Sequence, residues 1–237
     1  MTNEKISFYR DVQDMAGVTA DSISDVLKGI KSGAWKDIVL PVRALYPNPT
    51  LKGDAYKEAK KAYTAAKNKL KNFTVSGNFV RCENDKIAAF SGKMGIDFDG
   101  LEDIDTFLSE ICADTYTVAA FKSVSGHGAC VIVNVERDRF ADAFLGLEAY
   151  YMERYGYPVD PSGKNIARRR FVSYDPDCYI NPSDVPVFKL YPAKPKAKAK
   201  SEKPLFFVNT RNDLEHIFRQ IEDSHIDLTG SYDDWYQ

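Results

Sequence analysis

The stretch KIAAFSGKMGIDFDGLEDIDTFLSEICADTYTVAAFKSVSGHGACVIVNVE, residues 86–136, carries the pattern that decides the fold. Its first part, KIAAFSGKMGIDFDG (86–100), reads as a strand that stops at the turn of Gly100. Residues 101–114 repeat apolar side chains at Leu101, Ile104, Phe107, Leu108 and Ile111, the spacing of an amphipathic helix. YTVAAFKSV (116–124) and ACVIVNVE (129–136) then read as two strands joined by the turn SGHG. Working outward, RDRFADAFLGLEAYYMERYG (137–156) is a long helix closed by Gly156 and Pro158, and RRFVSY (169–174) a last strand. The order over 86–174 is β-α-β-β-α-β. That order belongs to the ferredoxin-like split βαβ unit, an antiparallel sheet backed by two helices, so the expected class is α+β.

Upstream, FTVSGNFV (73–80) reads as a further strand. Before it the chain looks helical. Ile23, Val26, Leu27 and Ile30 are spaced for a helix over 20–35, with Thr19 or Asp21 as N-cap. Residues 54–70 are rich in Ala and Lys and read as a solvated basic helix, and YPNPT (46–50) as a loop. The expected organisation is one domain over 1–190, with a helical lead-in at 1–72 and the sheet-bearing part at 73–190. Residues 191–205, which contain PAKPKAKAKSEKP, have nothing to bury and read as a linker. Residues 206–237 form a helical tail too short to build a core alone, the expected start of a further domain.

Composition excludes little but bounds the class. The chain has 237 residues, 44% hydrophobic and 28% charged, as in an ordinary globular protein. The first ten residues carry mixed charge and no apolar core, so no secretory leader is expected. No stretch approaches the roughly 20 apolar residues of a membrane span. Cys82, Cys112, Cys130 and Cys178 form no CxxC pair, which argues against a zinc site or disulfide framework and for a reduced, cytoplasmic compartment. A net charge of −2 is wrong for a protein that coats nucleic acid by bulk electrostatics. It leaves room for a local basic groove beside an acidic site.

Three groups of residues could carry chemistry. In Asp97-Phe98-Asp99 the alternation of a strand points both carboxylates to one face and Phe98 to the core. Carboxylates about 6–7 Å apart on a rigid strand suit Mg²⁺ or Mn²⁺. A DxD by itself equally describes a polar strand end before a Gly turn. Ser125-Gly126-His127-Gly128 forms the next turn, where backbone N–H groups freed by glycine and an imidazole could meet phosphate oxygens. The other histidines, His216 and His225, fall beyond the linker. Third, Asp160-Pro161-Ser162 precedes Lys164 and Arg168-Arg169-Arg170. Asp160 before Pro could merely initiate a turn, but in a split βαβ sheet, whose first and third strands are central neighbours, the Asp97 strand and the strand approached by Asp160 can converge and bring a third carboxylate near the pair. The arginine run could clamp phosphates bidentately or simply face solvent; Lys164 and Arg168 are the expected phosphate ligands, Arg168 in preference because Arg170 begins the strand. Asp175-Pro176-Asp177 is a second DxD, but its proline forces a turn, so it reads as a structural corner.

In order, GIDFDG, SVSGHG and VDPSGKNIARRRFVSYDPDCYINP resemble the three motifs of the archaeo-eukaryotic primase superfamily: hydrophobic-DxD, SxH and hydrophobic-Asp. Within it, they are similar to the primase–polymerase-like branch of mobile elements and phages, the VirE N-terminal domain type, over roughly 73–182. The resemblance implies an RNA-recognition-motif (RRM)-like palm acting as a DNA primase/polymerase, a nucleotidyltransferase. Asp97, Asp99 and Asp160 would hold Mg²⁺ or Mn²⁺, Ser125 and His127 would meet the triphosphate of the incoming nucleotide, and Arg168 would assist. It implies a single-stranded DNA template, nucleoside triphosphates and a replicative helicase as partners, with residues 206–237 opening the helical domain that precedes the helicase. One departure is Cys130, where relatives often carry Lys. On this reading Asp97→Ala or Asp99→Ala abolishes synthesis and leaves the fold intact. The competing reading is a non-catalytic DNA-binding or replisome-recruitment module on the same palm. A metal nuclease or nickase ranks last, since the HxH ligand pair it needs is missing before the linker.

Overall fold

A computed structural model describes residues 5–192. The chain divides into two units, Met1–Pro192 and Ala193–Gln237. Most of the expected linker and all of the expected helical tail lie outside the described residues.

The central sheet is antiparallel. Its strands are β6 (Lys93–Phe98), β7 (Thr117–Lys122), β8 (Ala129–Asn134) and β10 (Tyr179–Ile180), in the order β10-β7-β8-β6. Helix α4 (Ile104–Cys112) joins β6 to β7, and α5 (Phe140–Tyr155) follows β8. Asp103 caps α4 by accepting from the N–H groups of Asp105 and Thr106. Gly156, in the left-handed conformation at φ 75°, ends α5 with its N–H on the Met152 carbonyl. Period-two alternation sends Met94, Ile96, Phe98, Val131 and Val133 to one face, where Phe107, Ile111, Phe144, Leu147 and Tyr151 of the two helices cover them. The opposite face carries Ala119, Phe121, Cys130 and Ile132.

That second face is covered by the N-terminal region, which is not purely helical. Lys5–Tyr9 (β1) and Val18–Ser22 (β2) are strands, paired antiparallel with each other. Ile6 and Tyr9 are buried, so β1 is a core strand that the expected helical lead-in overlooked. Helix α1 (Ile23–Ser32) buries Ile23, Val26, Leu27 and Ile30 as its spacing requires. Its cap is Ser22, whose Oγ accepts from the Asp25 N–H, rather than Thr19 or Asp21. Helix α2 (Lys36–Ala44) and the lysine-rich α3 (Gly53–Lys67) follow, with residues 46–50 irregular between them.

Two expected strands are each broken in two. Residues 73–80 divide into β3 (Asn72–Thr74) and β4 (Gly77–Phe79), and residues 86–100 into β5 (Ile87–Phe90) and β6. Gly92 turns the chain at φ 79°, and β4 pairs with β5 in a separate hairpin. A further correction concerns the last strand. Only Arg169–Phe171 (β9) is extended, and it pairs with β3 in the sheet β2-β1-β3-β9, not with β6. Along the free side of β6 runs the segment that ends α5's loop, joined where the Asp160 N–H donates to the Asp97 carbonyl at 2.9 Å. The class is α+β with antiparallel sheets and, among the described residues, five α-helices.

Candidate functional site

Between the second face of the central sheet and the N-terminal region lies an open cleft of about 850 Å³. Asp97 of β6 and Asp99, the residue that follows β6, enter it for the reason that puts Ile96 and Phe98 in the core: alternate residues of extended chain take opposite faces. Asp160 enters from the other side of β6 and begins a 3-10 turn over Pro161–Lys164. Its Oδ1 accepts from the Ser162 N–H at 2.9 Å and its Oδ2 from the Ser162 hydroxyl at 2.7 Å. The three carboxylates, far apart in the chain, therefore line one cavity.

Their surroundings differ. Arg170 is 6% exposed, and its Nε lies 2.9 Å from Asp97 Oδ1 with the N–H not aimed along that line. The rest of this guanidinium donates to the carbonyls of Gly95 and Arg168. Burial alone would lower the pKa of Arg170; the Asp97 carboxylate and the neighbouring Cys130 more than reverse that, and it is raised. Asp160 also has opposing influences. Burial acts to raise its pKa, but the two hydrogen bonds from Ser162 and the charge of Arg168, 3.7 Å away, leave it lowered. Asp99 is raised, first by desolvation in the cleft and then by the negative charges of Asp97 and Asp160. Like-charge pressure of that kind requires the three acids to be electrostatic neighbours. Among the described residues, no three carboxylate, histidine or cysteine side chains are already gathered closely enough to hold an ion.

The turn that follows β7 forms the far wall. Arg43 of α2 pins it, donating from Nε to the Val124 carbonyl and from Nη2 to the carbonyls of Ser123 and Tyr174. Ser125 lines the cleft, its Oγ 3.0 Å from Ser123 Oγ and accepting from the His127 N–H. His127 stands exposed at the rim, its ring stacked on Tyr46 at 4.7 Å and 25°. The glycines here serve geometry more than anion binding. The Gly126 N–H is already used by the Ser123 carbonyl. A Cβ on Gly128 would come within 2.6 Å of the Phe98 carbonyl oxygen.

Of the cations expected at phosphates, Arg168 lines the cleft, whereas Lys164 is exposed on the 3-10 turn and does not line it. Asp175 behaves as the expected corner. It is 1% exposed, and its carboxylate accepts from the backbone N–H groups of Lys122 and Asp177. Sequence reasoning missed Arg170, Arg43 and Lys67. Lys67 lies in the field of Asp99, Asp97 and Asp160, packed over the rings of Tyr63 at 5.7 Å and Phe171 at 5.1 Å. Burial lowers its pKa despite those three charges. Only the alternation of β9, which parts Arg170 from Arg169, was available as a signal for the first of them: Arg170 meets Asp97, while Arg169 donates to the carbonyls of Asp11, Val12 and Asp14.

Residues 65–180 match the family described as BT4734-like, N-terminal domain. The BT4734-like stretch begins inside α3 just before Lys67 and ends with β10. It contains every carboxylate and guanidinium of the cleft, while Arg43 and Tyr46 lie outside it. No curated protein and no solved structure matches the chain. No described helix is long and apolar enough to cross a membrane.

Proposed function

We propose that the cleft is the active site of a metal-dependent nucleotidyltransferase, a DNA primase/polymerase of the kind that replicates mobile elements or phages. The observation that carries this reading is the convergence of Asp97, Asp99 and Asp160 on one cavity beside the Ser125–His127 turn. The BT4734-like match supports it, since that is a VirE/primase-like N-terminal domain family. The finer fold assignment belongs to the same proposal. The order β7-β8-β6 with α4 and α5 on one face is that of the first three strands of an RRM-like palm. The segment ending at Asp160 takes the place of the fourth.

The donor set fits a hard divalent cation. Mg²⁺ is typically held by one or two carboxylates, with water and substrate phosphates completing the octahedron. Asp99 has no hydrogen bond among the described residues, Asp97 has its Oδ1 beside Arg170, and Asp160 stands beside them with both oxygens on Ser162. Asp97, Asp99 and Asp160 would hold Mg²⁺ or Mn²⁺, which when bound lowers the pKa of an attacking hydroxyl and offsets charge on a leaving phosphate. The chain's own work is positioning. Arg170 fixes the rotamer of Asp97, and Ser162 that of Asp160. Arg168 and Lys67 place positive charge where a triphosphate's oxygens would lie, with Ser125 and His127 as hydrogen-bond donors on the opposite wall. A primer 3′-hydroxyl attacks the α-phosphate in line, and pyrophosphate leaves.

One observation favours the second reading, a non-catalytic DNA-binding or recruitment module. Arg170, Arg168 and Lys67 already face the three acids, so the site is charge-balanced as it stands. Incubation with single-stranded template, mixed nucleotides and Mn²⁺, followed by sizing of products, separates the two. Elongated products that disappear in Asp99→Asn support catalysis. Absence of any incorporation by the parent protein sinks it.

A further inference from the structure

Helix α3 carries four lysines and two acids between Gly53 and Lys67, in a chain whose net charge is −2. Its only buried residue is Tyr63, so packing explains little of this composition. The residues of α3 that line the cleft are Tyr56, Lys60, Tyr63, Thr64 and Lys67, and apart from Thr64 they form one helical stripe at i, i+4, i+7 and i+11. Lysine and tyrosine alternate along it.

The stripe is continuous with an aromatic stack. Lys67 lies over Tyr63, Tyr63 meets Tyr46 edge-on at 5.2 Å, and Tyr46 stacks on the exposed ring of His127. Tyr63 is buried within this stack, and the half-buried rings of Tyr46 and Tyr56 with the exposed Lys60 carry ring and cation surface from the cleft out along α3. Single-stranded nucleic acid is held by that combination: cations that track the phosphates and aromatic faces that take the bases without regard to sequence. A duplex would not reach the rings, because its bases are already stacked on each other.

We infer that the outer end of the α3 stripe, Tyr56 and Lys60 with Tyr46, is the groove for a single-stranded DNA template. That the strand is a template rests on the nucleotidyl-transfer reading; that the groove binds single strands does not. The test is fluorescence anisotropy of the full chain with a labelled thymidine oligonucleotide, beside product sizing on the same samples. Lys60→Glu and Tyr56→Ala, both at the solvent edge, each weaken binding about tenfold. The Lys60→Glu loss shrinks as salt rises. Lys61→Glu makes the same charge change one residue on, off the stripe, and binds within about twofold of the parent. Equal losses at Lys60 and Lys61 overturn the groove, since they reduce it to bulk charge. So does a parent that prefers a duplex of the same length. If single strands bind through Lys60 but no nucleotide is incorporated, the groove is supported and the catalytic reading falls.

Discussion

The Nε of Arg170 lies 2.9 Å from Oδ1 of Asp97, and the arginine is almost wholly buried while the aspartate opens onto the cleft. The acid is thus a structural partner as well as a site residue. Asp97→Ala strands a buried guanidinium, and removing one member of such a pair costs about 3 kcal/mol. We expect a lower denaturation midpoint in urea for Asp97→Ala, contrary to the expectation that the fold survives its loss untouched. A midpoint equal to the parent's would show that Arg170 is adequately held by the carbonyls of Gly95 and Arg168 alone.

Asp99 is the cleaner probe of chemistry. It has no hydrogen bond to lose, and desolvation with two like charges raises its pKa in the folded state. A carboxylate raised on folding is protonated more readily in the native chain. Its ionisation therefore opposes folding as pH climbs from the unfolded value through the raised one. In chelator, Asp99→Asn should melt at or above the parent's temperature at neutral pH, and the gap should close as pH falls below about 4. Asp160, lowered on folding, gives the opposite slope: its contribution is present above the unfolded pKa and lost as acid is added. A melting temperature for Asp99→Asn well below the parent's at pH 7 would contradict this account.

Divalent ions should stabilise the parent through that same group. Adding Mn²⁺ at 100 times its dissociation constant stabilises the folded chain by about 2.7 kcal/mol by mass action. The shift in melting temperature should largely vanish in Asp99→Asn. An identical shift in both proteins would place the cation elsewhere.

Gly128 and Gly100 offer a matched pair. Alanine at 128 drives a Cβ to 2.6 Å from the Phe98 carbonyl oxygen, whereas at Gly100 the Cβ meets open space and only the positive φ of 66° opposes it. We expect Gly128→Ala to cost about 2–3 kcal/mol, from a clash with backbone that cannot yield. Gly100→Ala should cost about 1 kcal/mol. Equal losses in urea denaturation would show that the β6 terminus relaxes around the added methyl.

The part of the fold that could be read from sequence is the part whose burial is local. β6, α4, β7, β8 and α5 follow one another, and each displays its own period: Ile96 and Phe98 against Asp97, or Phe107 and Ile111 one turn apart. The N-terminal strands could not be read this way. β1 has only five residues and finds its partner β3 more than sixty positions downstream, at Phe8 with Phe73 and Tyr9 with Asn72. The final strand was misassigned for the same reason. Arg169–Phe171 has the composition of a strand in any sheet, and nothing local tells it to join β3 instead of β6. At the site, Asp97 and Asp99 were legible because alternation fixes their face; Asp160 was expected beside them through its following strand, and it arrives instead from the loop along the free side of β6. Lys67 and Arg43 were not, since a lysine on an exposed-looking helix gains its role only when that helix docks across the cleft.

The alternation along β6 also decides which genetic changes this segment can absorb. Swapping one apolar residue for another at 96 or 98 perturbs packing by degrees. Deleting or inserting a single residue between 93 and 99 would instead exchange the two sides of the strand, turning acids inward and a phenyl ring toward water. Length variation among natural variants should therefore be absent from residues 93–99.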